Sequence, residues 1–197
     1  MKYELTSTTK TLLSGTILHQ IKALRDIGDF VKAGDLGGWI EKEANLSQER
    51  DCWVSGYAEV FGNALVFGNA LVFGNAQVSG NAEVSGNAEV YDDARVFGNA
   101  GVFGNARVYG NAQVFGNAEV SGNARVSGNA QVFGYAQVFG NAWVSGNARV
   151  CDSARVSGNA LVCDSARVSG YAWVYGNAWV SGSARVSGTA RVSGDFK

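Results

Sequence analysis

Proline is absent from all 197 residues. It cannot donate to a β-ladder and is confined to edges and bulges. A proline-free chain therefore suits an architecture in which nearly every strand bonds on both sides. Histidine occurs once, as His19. No Ser-His-Asp arrangement can be assembled without it, and neither Cys/His metal spacing nor a phosphate-cradling loop is present. The expected catalytic, cofactor-binding and metal-binding residues are therefore none, and no cofactor is expected. No apolar run reaches the length of a transmembrane helix, so no membrane partner is expected. The start, Met1-Lys2-Tyr3-Glu4-Leu5, lacks a signal-peptide core, which points to the cytoplasm or a virion.

What the chain has is a repeat. From Val54 to Val192 every sixth residue is valine, 24 times, without insertion or deletion. Alanine sits two residues before each valine, except before Val54, where Cys52 takes the place. Alternation with period two marks a short strand whose Ala and Val share one face. The two residues between strands form a corner. Glycine holds 21 of the 24 first corner positions, Asp92, Asp152 and Asp164 the other three, and asparagine follows in 15. These residue types tolerate positive φ. Three such units close a triangle. Threonine arrays, which would suggest ice binding, are missing: the hexads hold only Thr189.

The V-x-G-N-A-x unit resembles the hexapeptide repeat of left-handed parallel β-helices, over about 140 residues. The resemblance implies an all-β, single-stranded, left-handed triangular prism of about eight regular coils, roughly 38 Å long at about 4.8 Å per layer. Ile40, Ala44 and Leu46 already obey the rule, with a two-residue insertion before Val54. The expected division is a small N-terminal β cap over 1–39 and a solenoid over 40–197. Within the cap, Thr16 to Arg25 reads as a strand, Asp26 to Asp29 as a turn and Phe30 to Lys32 as the return strand. The run Gly34-Asp35-Leu36-Gly37-Gly38-Trp39-Ile40-Glu41, followed by hexads, resembles small phage and prophage proteins, some labelled hexapeptide transferases by similarity alone. That resemblance implies a bacterial host cell and no established activity. Cys52 is expected buried at an inward position. Cys151 and Cys163 fall on different faces and form neither a disulfide nor a metal site, which suits a reducing compartment.

Sorted by coil, the outward residues fall on three faces. The first carries Trp53, Leu71, Trp143, Leu161 and Trp179 before the valines, with Phe73, Tyr91 and Tyr109 after them. The second carries Phe61 and then Phe97, Phe115 and Phe133 on consecutive coils, a candidate interaction face. Arg149, Arg167 and Arg185 continue it as a candidate basic strip. The third carries Leu65, Phe67, Phe103, Phe139, Trp173 and Tyr175. Phe196 stands where the repeat expects alanine and is a candidate end cap. Five acids and no bases lie between Val54 and Ala94, whereas nine bases and four acids follow from Arg95. The formal net charge of −1 argues against a general nucleic-acid binder, and charge at a terminal coil discourages edge-to-edge stacking. The expected function is a non-catalytic, rigid solenoid of phage type, acting as a structural or protein-interaction module. Its expected partner is itself, as homodimer or trimer, with a host protein as the other candidate. One alternative is a degenerate hexapeptide acyltransferase, although the family's catalytic histidine has no counterpart in the coils. The other is an inhibitor of a host or defence protein.

Overall fold

The computed structural model describes residues 1–194; Phe196, the candidate end cap, lies outside them. Parallel two-residue strands wind into a β-solenoid of about nine turns with three sheets. The count exceeds eight because Ile40 pairs in parallel with Val60, and Leu46 bridges to Val66. Those two rungs extend the 24 valine rungs. No described helix is long and apolar enough to cross a membrane.

Each hexad bonds upward three times. Glu59 N–H donates to Ala76 O at 2.9 Å, Phe61 N–H to Val78 O at 3.1 Å and Asn63 N–H to Gly80 O at 2.7 Å, and the pattern repeats along the chain. The ladder thus satisfies the main chain along the prism axis, as buried backbone requires. The side chains of Val and Ala fill the interior; Val54 to Val180 and Ala58 to Ala178 are essentially inaccessible. The final pair departs from expectation: Ala190 is exposed and Val192 half-buried, because no described coil lies beyond them.

The corners explain the glycines. Gly86 has φ +71, and a Cβ there would lie 2.8 Å from Gly104 O in the next coil. The three corner aspartates accept the same left-handed φ, at 58 to 60°. Each is held by an extra bond: Asp92, Asp152 and Asp164 accept from the N–H of Gly110, Gly170 and Gly182 at 3.1, 2.9 and 2.9 Å. The following asparagines form ladders of their own, Nδ2 to Oδ1. One runs from Asn69 through Asn87, Asn105, Asn123, Asn141 and Asn159 to Asn177 at 3.0 Å per step.

The N-terminal segment extends one sheet beyond the first coil. β1 (Tyr3–Thr11) pairs antiparallel with β2 (Ile17–Ala23), and β2 antiparallel with β3 (Leu36–Ile40). β3 then meets the Glu59–Val60 rung in parallel. The return strand is therefore β3, not Phe30 to Lys32, where only a single Ile27–Val31 bridge forms. Gly37 and Gly38 let β3 lie against the first coil. A Cβ on Gly37 would stand 2.7 Å from both the Trp53 ring and Val54 O, and one on Gly38 2.8 Å from Ala58 O. Trp53, expected outward, is instead buried under this segment, with Tyr3 edge-on at 6.3 Å. Ala44 also departs from the hexad rule. A 3₁₀ turn over Glu43–Asn45 turns it outward and brings Asn45 in, where its amide donates to Gly62 O and Ala64 O at 3.1 and 2.9 Å.

Candidate interaction surfaces

The face that carries Val60, Val78 and Val96 ends at a corner lined by aromatic rings. Phe97, Phe115 and Phe133 stack there with centroids 4.9 Å apart and interplanar angles of 0 and 3°. The spacing is the layer spacing of the ladder, so the rings cover one another's faces. All three are half-buried, with edges outward. Phe61 is also half-buried, but Ser79 separates it from the stack. A second stack, on the first outward face, runs Phe73–Tyr91–Tyr109 at 4.8 and 5.0 Å. Burial, then the neighbouring Tyr109, pushes the Tyr91 phenol above its usual value.

The tryptophans obey a rule that single-hexad reading missed. Trp143 Nε1 donates to Ser127 Oγ at 2.9 Å, Trp173 Nε1 to Ser157 Oγ at 2.8 Å, and Trp179 Nε1 to Cys163 Sγ at 3.3 Å. Each partner lies 16 residues earlier, in the preceding coil. Ser127 and Ser157, outward by sequence, are buried beneath these rings. The signal was present as a small residue after the valine of one coil and Trp before the valine of the next.

Arg149, Arg167 and Arg185 stand in direct register on the same sheet and are exposed. Among the described residues none has a salt-bridge partner. Adjacent heads at layer spacing would repel by about 1 kcal/mol in water, a modest cost that splaying reduces. Arg107, by contrast, meets Glu89 at 3.1 Å.

Other titratable groups sit at the N-terminal junction. Lys2 is 1% exposed; its Nζ donates to Cys52 O at 2.7 Å and contacts Cys52 Sγ at 3.1 Å. Burial holds its pKa below the usual lysine value. Tyr3 OH donates to Leu46 O at 2.7 Å and approaches Glu43 O at 3.0 Å, and burial raises its pKa well above the tyrosine range. Cys52 is therefore buried as expected but also holds a lysine. Cys151 and Cys163 are free thiols on different faces; burial raises the Cys151 pKa. His19 lies on β2, half-buried, with Nδ1 3.4 Å from Thr6 O. No group of three or more metal-ligating side chains occurs among the described residues.

The chain is similar to known solenoids. A family model described as YdcK β-solenoid repeat matches residues 102–116, 118–134, 136–152, 154–170 and 172–188. Each match is about one coil long, so the family's unit is the full turn of three hexads. The chain is also 47% identical over 38 residues to a protein of Escherichia coli (strain K12) named "Uncharacterized acetyltransferase YdcK". That match covers 19% of this chain and 11% of the relative.

Proposed function

We propose that this chain is a non-catalytic interaction module, a rigid prism that self-associates through the face carrying Phe61, Phe97, Phe115 and Phe133. The observation that carries this reading is the Phe97–Phe115–Phe133 stack, which lines up three half-buried rings in one apolar strip on a ladder-bonded backbone. Fully burying a Phe is worth about 1.5–3 kcal/mol. Most of that is already gained within the prism, since each ring is more buried than exposed. The remainder, at most about 3 kcal/mol for three rings, falls well below the roughly 4–15 kcal/mol that association costs. The strip therefore serves as the anchor of a side-by-side contact, and the flat face around it supplies the remaining area. A homodimer or trimer follows, in the cytoplasm of a bacterial host. The Gly34–Glu41 run supports a phage or prophage origin.

Replacing Phe97, Phe115 and Phe133 together by serine, the residue at Ser79 in the same column, keeps the fold and yields monomer by light scattering. A wild type that is already monomeric at high micromolar concentration, or a triple variant that still associates, refutes the proposal. The relative's name favours a second reading, an acyltransferase. Wild-type binding of acetyl-coenzyme A that is lost in His19→Asn would establish it in place of the first.

A further inference from the structure

We infer that the Tyr135–Ser153–Tyr171 edge is a binding slot for an acidic sugar. The corner after the Phe strip carries Asn63, Asn81, Asn99 and Asn117 on successive coils, each amide bonded to the next at 2.9 to 3.2 Å. The ladder then stops. The next three coils present Tyr135, Ser153 and Tyr171. The two tyrosines are 68% and 75% exposed, among the most exposed large side chains of the prism. Their backbone is fixed: Tyr135 N–H donates to Asp152 O at 2.6 Å and Tyr171 N–H to Gly188 O at 2.7 Å. With Gln137, Ser153 and Arg155 they line an open cleft of about 500 Å³.

Spacing selects the ligand class. Two layers separate the tyrosine backbones by about 9.6 Å. A flat nucleobase held between two rings needs two carbon contacts of about 3.5 Å, or roughly 7 Å in all. A puckered pyranose, with axial hydrogens on both faces, is thicker and fills the wider gap. Aromatic rings suit such C–H faces. Ser153 and Gln137, both in the lining, offer hydrogen bonds to hydroxyls. Arg155 adds a planar fork that matches a carboxylate or sulfate. It has no salt-bridge partner among the described residues, nor do Arg149 and Arg167 around the corner. An anionic substituent supplies the missing counter-charge.

The test is a glycan array of uronate, sialate and sulfated oligosaccharides with their neutral analogues, followed by calorimetry on the hits. Single-stranded oligo-dT serves as the competing class. The wild type is expected to bind acidic sugars in preference to neutral ones. Tyr135→Asn and Tyr171→Asn restore the residue that this edge carries elsewhere, so they keep the fold, and each weakens binding by about tenfold. Arg155→Gln removes the preference for the acid over its methyl ester and leaves neutral binding unchanged. No array signal at millimolar sugar, binding that survives both tyrosine changes, or preferred binding of oligo-dT overturns the inference.

Discussion

A carboxylate placed in the middle of the column tests the fold most sharply. Val114 is fully buried, in register between Val96 and Val132. Val114→Asp forfeits about 1.5–3 kcal/mol of apolar burial. The new group also lacks a partner, since only valine and alanine side chains face it. Left charged, it costs several kcal/mol; protonated, it is still an unsatisfied polar group worth about 1–3 kcal/mol. The sum reaches about 2.5–6 kcal/mol, a large part of the roughly 5–15 kcal/mol that stabilises an ordinary domain. In a stacked array each coil leans only on its neighbours, so the lesion separates the coils on either side. Val192→Asp makes the same chemical change where the side chain is only half-buried and no described coil follows; its cost is expected near about 1 kcal/mol. Far-UV circular dichroism melts, with limited proteolysis, compare the two. If Val114→Asp melts within a few degrees of wild type, or Val192→Asp is equally damaging, the valine column is not the core.

Tyr3→Phe leaves Leu46 O without its donor, lowering stability by about 1–3 kcal/mol in a urea melt. Because burial raises the folded Tyr3 pKa, its contribution is complete below the ordinary tyrosine value of about 10 and is lost as pH rises above it. The alkaline drop in melting temperature should therefore shrink in Tyr3→Phe; an unchanged alkaline limb argues against the buried phenol. Gly37→Ala forces a methyl against Ile21, Trp53 and Val54 O at 2.5 to 2.7 Å. It is expected to cost about 1–3 kcal/mol and to expose Trp53, read as a red shift and quenching of its fluorescence. A spectrum identical to wild type would place β3 elsewhere.

The sequence alone determined the solenoid. A strict period of six repeats the same local environment in every coil, so one assignment of Val inward and Gly at the corner fixes all of them. The uninterrupted run also implied flat faces, and the phase of the period sorted the outward residues onto those faces correctly. Only the tertiary structure decided how exposed those residues are. Phe97, Phe115 and Phe133 shield one another because their rings lie a layer apart. Ser127 and Ser157 are covered by tryptophans from the following coil. Trp53 disappears beneath β3. Each outcome depends on a neighbour 16 or more residues away, which a six-residue pattern does not contain. The non-repetitive segment was least legible for the same reason. The hexad rule placed Ala44 inside, but a 3₁₀ turn puts Asn45 there, where Gly62 O and Ala64 O can satisfy its amide. Lys2, a charged residue near the start of the chain, is buried because Cys52 O stands 2.7 Å from its amine, a contact that spans 50 residues of sequence.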